Sequence, residues 1–454
     1  MKNKPSLGEK LAFAIGDGGC NFVYTTMGSF LTLYYTDKVG IAAATIGTIM
    51  LLARLLDGVS DIVMGSVIDR THTRLGKARP WLFLSAIPMG LGLILVFSVP
   101  GSLGYNGKVA WAAITYILIT VVIYTVSNLS YQTLLSLISP DPKDRIFMSS
   151  IRFFFVMGVV LTINYTTQNL VAKIGWTGMA AVFGLVAAVI IFITAAFTKE
   201  RNNPDVNKDT VAAKRQTAKN KLSVVESIKI LFKNKYFILI TIMFVANYTA
   251  LGVNNGLRIY YARDVLGNAG LMGTLTLCFI LPKMIGNLVY PYIAKVLGNW
   301  RSLVIGYILE MVGLILMAVM PVTVATTYIG LLILGIGGIP SNGALFAMIT
   351  DVVEYGEWKT GVRLDGLTNS AASFGQKVGA GLGSAIVGWG LAWAAYDGTA
   401  AAQTAATVSA IKGVYTVLPI IIFAIGFVAL LFANMDKINP QVRKELAERK
   451  TMQE

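Results

Sequence analysis

Charge is scarce in this chain. Of 454 residues only 13% are Asp, Glu, Lys or Arg, against 55% hydrophobic. That leaves too few polar side chains to solvate the surface of a water-soluble protein, so the surface must face lipid. Cysteine is nearly absent: Cys20 and Cys278 both lie inside apolar runs, which excludes a disulfide framework and metal-ligand spacing and reads as two buried thiols. The single histidine, His72, sits in a short polar loop and reads as solvated. A nucleotide-binding loop, a Ser/His/Asp order and metalloenzyme spacing are all missing, so neither an enzyme nor a cofactor is expected. The formal charge of +15 is spread over short loops and tails. Nucleic-acid binders instead concentrate basic residues on a face or beside aromatics, so nucleic acid is not an expected partner.

What the chain does have is long apolar runs. A hydrocarbon core of about 30 Å needs roughly 20 helical residues, and runs of that length recur at 11–36, 42–68, 81–100, 110–138, 148–172 and 175–198, then at 236–261, 271–297, 302–322, 326–350, 366–393 and 414–432. The basic start MKNKPSLGEK is followed by a run that carries Asp17 and has no small-residue cleavage site, so a retained first span is expected rather than a removed leader. Alternate sides of these runs hold 28 and 5 Lys/Arg. Cytoplasmic loops are the basic ones, which places both termini in the cytoplasm of a multi-pass plasma-membrane (inner-membrane) protein. The expected fold is therefore an all-α polytopic membrane protein of 12 transmembrane helices in two six-helix bundles. Its parts are an N-terminal bundle over 1–198, a cytoplasmic linker over 199–235 and a C-terminal bundle with a tail over 236–454. Within the linker, Val224, Val225, Ile228, Leu231 and Phe232 fall at helical spacing among Lys229, Lys233 and Lys235, which predicts a short helix on the inner membrane surface over 223–235. Two six-span repeats imply a binding site between them at mid-membrane.

Ionisable groups inside spans cost about 2.5 to 3.5 kcal/mol each on insertion scales, so each one needs a partner or a water-filled cavity. The second run reads Arg54, Asp57, Ser60, Asp61, and helical geometry puts them on one side. Two carboxylates against one guanidinium leave one negative charge over. An Arg54–Asp57 pair holding a helix contact accounts for Asp57 but not for Asp61. Carboxylate and hydroxyl oxygens suit Na⁺, and two close carboxylates also favour binding a proton, so both ions stay open. In the fourth run Thr125, Asn128 and Gln132 share a face, as a hydrogen-bonding wall for a hydroxylated ligand or as ordinary interhelical contacts. Asp17, Arg152 and Lys377 are further in-span candidates, and Lys283 and Glu310 could pair with each other. Two loops stand apart, one basic (Asp69 to Pro80, with Arg74 and Arg79) and one acidic (Asp351 to Arg363, with Glu354 and Glu357). They are complementary enough to close the cytoplasmic side, although solvated charge explains them equally.

With Gly16-Asp17, Tyr35-Thr36-Asp37, Asp57 to Asp61, Arg74-x-Gly76-Lys77-x-Arg79-Pro80-Trp81, Tyr124-Thr125, Arg152, Glu354-Tyr355-Gly356-Glu357 and Lys377 in place, the chain resembles the glycoside-pentoside-hexuronide cation symporters. These are a branch of the major facilitator fold, and the resemblance runs over nearly the whole length. Gly388 to Trp393 and the stretch Gly361 to Leu367 are most similar to the xyloside and glucuronide members. The resemblance implies alternating-access symport of a glycoside, a xyloside/pentoside or a glucuronide, with Na⁺ or H⁺. It implies cation binding by Asp57 and Asp61, helped by Ser60 and Thr125, with Na⁺ possible there. It implies sugar binding by Asp17, Asn128, Gln132, Arg152 and Lys377. The complementary charge of the two loops makes Arg74, Arg79, Asp351, Glu354, Glu357 and Arg363, together with Arg145, the expected cytoplasmic gate. Asn128 and Gln132 stand where the melibiose permease has an Asp and a Trp, so melibiose itself is not the expected substrate. A symporter for another amphiphile such as a lysolipid, or a non-transporting sensor, is the competing expectation. The lipid bilayer and a small-molecule glycoside are the expected partners, and the sequence leaves the oligomeric state open, with a monomer plausible.

Overall fold

The computed structural model describes residues 4–201, 224–362 and 364–451. Among these the chain is helical throughout, and it packs as two compact units. One unit comprises Met1–Asn220 with Ala269–Gly273 and Leu391–Gln403. The other comprises Lys221–Asn268, Thr274–Gly390 and Thr404–Glu454.

In the first unit, α1 (Leu7–Thr26) starts at Ser6, whose hydroxyl accepts from the Glu9 N–H at 3.2 Å. It runs on through two wider windings, Met27–Leu31 and Tyr34–Val39, and stops at Gly40, φ +80°. Helix α2 is Ala43–Arg70 and α3 is Arg79–Val96; α4 (Tyr105–Ile117) continues through Leu118–Tyr124 into α5 (Thr125–Ile138). Helix α6, Pro142–Phe197, is two spans bent apart at Gly175, φ +73°. It opens six residues ahead of the apolar run, because Asp141 caps the Lys143 N–H at 2.9 Å and Pro142 fits the first helical turn. Where α3 meets α6, Gly90 and Gly184 let the backbones touch: a Cβ on Gly90 would stand 2.6 Å from the Gly184 oxygen. Small residues at such crossings allow the close packing that association within lipid relies on.

The second unit begins with α7 (Val224–Lys233), the helix expected on the membrane surface, while the linker before it, 202–223, lies outside the described residues. Helix α7 ends short of Lys235 because Asn234 caps the next helix, accepting from the Tyr236 N–H at 3.1 Å. Then come α8 (Lys235–Tyr260), α9 (Met272–Leu297), α10 (Asn299–Val319), α11 (Val324–Gly337), α12 (Ile339–Thr360), α13 (Asp365–Trp393), α14 (Ala405–Phe432) and α15 (Asn439–Thr451). Helix α14 starts nine residues before the expected run, since Thr404 accepts from the Thr407 N–H at 3.2 Å. Lys412, counted as a loop cation in the sequence, is therefore helical.

Among the described residues, eight helical stretches are long and apolar enough to cross a membrane by themselves, one of them the doubled α6. Helices α1, α2 and α13, which bring the spans to the twelve of the fold, are not in that set. They are diluted by glycine and polar residues, and they carry Asp17, Arg54 to Asp61 and Lys377.

Candidate functional site

The polar face of the first unit is built on α1. Asp17, Asn21 and Tyr24 follow one another at helical spacing along one side of it. Asn21 donates to Asp17 Oδ1 at 3.2 Å, and Arg152 from α6 brings its Nε to 3.6 Å from Asp17 Oδ2. Arg152 and Asp17 thus supply each other's countercharge, with side chains 33% and 17% exposed, enough to meet a ligand while paired. Both were expected at a sugar site. Asn21 was missed, although its i+4 spacing from Asp17 was visible in the sequence.

Two turns further along α1, the ring of Tyr24 lies 4.9 Å under the Arg54 guanidinium and 5.7 Å from the ring of Tyr124. Arg54 Nη1 is 3.7 Å from Asp57 Oδ2. Asp57, 2% exposed, accepts from the Thr125 hydroxyl at 2.8 Å on its other oxygen, and Thr125 Oγ1 is 3.1 Å from Ser60 Oγ. Asp57, Ser60 and Thr125, from α2 and α5, are thereby brought together as hard oxygen donors beside one guanidinium. Asp61 lies one turn on, half-buried on the same helix. These oxygens could hold a monovalent cation, and the carboxylates could equally carry a proton.

The wall expected on α5 is present but folded onto itself. Gln132 donates to Asn128 Oδ1 at 2.6 Å, and Asn128 donates to the Tyr124 hydroxyl at 3.2 Å. Gln132 is exposed and Asn128 half-buried. Lys377 lies half-buried on α13, in the second unit.

Of the residues expected at a cytoplasmic gate, Arg79, Asp351 and Glu354 have partners inside their own units. Glu200 accepts from the N–H groups of Lys77, Ala78 and Arg79 at 2.7, 2.8 and 2.9 Å, a carboxylate seated on the amino end of α3. Gly76, φ +110°, makes room for it: a Cβ there would come within 2.3 Å of the Glu200 carboxylate. The Arg79 side chain donates to the Ala195 carbonyl at 2.9 Å, Arg74 is exposed, and Arg145 stands in the first turn of α6. In the second unit Arg443 of α15 donates to Asp351 at 3.0 Å and to Glu354 at 2.8 Å. Trp358 Nε1 donates to Glu445 at 2.6 Å, and Glu357 is half-buried on α12. The sequence showed the tail only as basic residues, so its docking on the acidic turn was missed. Arg363 lies outside the described residues.

The profile of the family described as "MFS/sugar transport protein" matches residues 12–437. The chain belongs to that family. The transporter is 31% identical to the "Isoprimeverose transporter" of Lactiplantibacillus pentosus, over 99% of this chain and 93% of the relative. It is also 31% identical to the "Putative glycoside/cation symporter YagG" of Escherichia coli, over 97% and 95%. Among solved structures it resembles the inward-open xylose transporter XylE of E. coli, with a TM-score of 0.63 at 13% identity over 93% of this chain and 94% of that one. That likeness shows a shared major facilitator fold. The chain is therefore a multi-pass membrane transporter and not an enzyme.

Proposed function

We propose that the transporter is a cation-coupled symporter of a glycoside, a pentoside or a glucuronide, using Na⁺ or H⁺. One observation carries this reading: a single face of α1 bears the Asp17–Arg152 pair at one level and Tyr24, beneath the Arg54–Asp57–Thr125–Ser60 cluster, at another. Seven residues of helix separate the two levels by about 10 Å. Sugar hydroxyls exchange readily with the Asp17–Arg152 contacts and with the amides of Asn128 and Gln132, and Lys377 is proposed as a further sugar contact. The cation is assigned to Asp57 and Asp61 with the hydroxyls of Ser60 and Thr125. A ring of donors and acceptors of this kind favours a sugar over an amphiphile, whose site would be mostly apolar. Both termini are assigned to the cytoplasm. Arg74, Arg79 and Arg145, together with Asp351, Glu354, Glu357 and Arg363, are assigned to the cytoplasmic gate.

The test is uptake of labelled xylosides, glucuronides and galactosides into membrane vesicles, with and without Na⁺, at two pH values. One glycoside class should accumulate uphill and respond to one of the two ion gradients. No accumulation of any glycoside under either gradient, from protein that is present in the membrane, overturns the reading.

A further inference from the structure

The interior of the second unit holds a cluster of charged and polar groups that the symport reading does not use. Arg258 on α8 and Glu310 on α10 are each 2% exposed. Lys283 on α9 reaches the same place. Its Nζ and Glu310 Oε1 both lie against Gly338, where an added Cβ would meet them at 2.5 and 3.2 Å. The Lys283 ammonium and the Arg258 guanidinium stand 4.2 and 4.9 Å from the centroid of one ring, Phe279. Arg258 also donates to Thr276 Oγ1 at 3.2 Å and to Asn254 Oδ1. In the sequence Lys283 and Glu310 stand as a pair; Arg258 makes the group one carboxylate against two cations.

The cluster is also short of hydrogen-bond partners. Glu310 Oε2, Asn247 Nδ2, Asn254 Nδ2 and Arg258 Nε have none among the described residues. Asn247, Asn254, Lys283 and Glu310 line a cavity that offers about 20 Å³ to the centre of a water molecule. One water needs about 10 to 15 Å³ and two to four polar partners. The space fits a water that accepts from an asparagine amide and donates to Glu310 Oε2, and it is far too small for a sugar.

Charge decides what such a cluster does. Arg258 is ionised at every accessible pH, so Glu310 can balance only one of the two cations, and a surplus charge inside a membrane bundle is costly. We infer that the Lys283–Glu310–Arg258 cluster is a proton-exchange site of the second unit, separate from the carboxylates on α2. In the exchange, the Lys283 ammonium loses one proton, which passes by way of the cavity water to bulk solvent, and the cluster goes from one net positive charge to none. Other groups face it from the neighbouring helices. Tyr307 stands one turn before Glu310 on α10, Tyr415 on α14 faces Arg258, and α11 and α12 meet it with Gly337 and Gly338.

The test needs no sugar and so stands or falls apart from the symport reading. Thermal unfolding midpoints of the purified full-length protein are measured across pH, in chloride and in gluconate, for wild type, Lys283→Met and Lys283→Arg. Methionine fixes the neutral cluster, and arginine fixes the positive one at every pH. The wild type should show a one-proton step, worth up to tenfold per pH unit in the folding equilibrium, and neither variant should show it. If one variant fails to fold, the other alone reads the result. A step retained in a folded variant, or no difference in pH profile between wild type and the variants, overturns the proposal and leaves a structural ion pair. A wild-type midpoint that follows chloride instead of pH also overturns it, in favour of a bound anion as the balancing charge.

Discussion

At the residue scale, the Arg152–Asp17 pair and the Asp57 cluster make separable predictions because they engage different atoms. Arg152→Ala should abolish sugar binding while the protein stays in the membrane, since it leaves Asp17 as an uncompensated carboxylate where the ligand would sit. Isothermal binding on the purified variant checks this, and wild-type affinity would remove Arg152 from the site. Asp57→Asn and Asp61→Asn should keep sugar exchange but lose uphill accumulation. The amide retains size and one acceptor while removing the charge that attracts the ion. With one cation per sugar, 100 mV supplies about 2.3 kcal/mol, or roughly 50-fold accumulation, and the variants should only equilibrate. Counterflow against gradient-driven uptake in vesicles separates the two behaviours. Both variants accumulating like wild type would make Asp57 a partner of Arg54 and nothing more. Gly76→Ala tests a backbone. At φ +110° and with the Glu200 carboxylate in the way, alanine should destabilise the first unit by at least about 1 kcal/mol, read as a lower unfolding midpoint.

At the element scale, the docking of α15 on α12 rests on charge and on one indole. The hydrogen bond from Trp358, followed by that from Gln441, holds the Glu445 carboxyl below its ordinary range. The hydrogen bond to Glu354 leads the causes that hold Arg443 in its charged form. Because the Glu445 value is depressed in the docked state, its contribution is fully present above the free carboxylate value and is lost as pH falls through the docked one. Docking of α15 should therefore loosen on acidification. Amide exchange over 439–451 should be slow at neutral pH and faster in acid, and Glu445→Gln should remove that pH dependence. Equal exchange in wild type and variant at both pH values would mean that Glu445 does not hold the helix. Asp351 and Glu354, read from the sequence as one side of a gate, are also the anchor of the tail, because the turn from α12 presents both to Arg443.

At the scale of the whole molecule, topology is the property to test. Asn106→Cys and Asn207→Cys report opposite sides if the basic side is cytoplasmic. In intact cells an impermeant maleimide should label position 106 and spare 207, and the reverse pattern would invert the assignment of both termini.

Composition and the spacing of apolar runs were enough to determine twelve spans, their division into two sets of six and the placing of charge in α2, because a span's hydrophobic length is a local property of the chain. The candidate residues on α1, α2, α5 and α6 were visible for a related reason: an ionisable or polar group in an apolar run stands out without knowledge of its partner. The partners themselves were not visible. That Arg152 faces Asp17, that Glu200 rather than a distant loop holds the backbone beside Arg79, that Arg443 takes Asp351 and Glu354, and that Arg258 joins Lys283 and Glu310 all depend on which faces of separate helices meet. Those meetings are set by packing between segments far apart in sequence, where a glycine at a crossing or one wide turn rotates a whole face, and tertiary structure alone fixes that rotation.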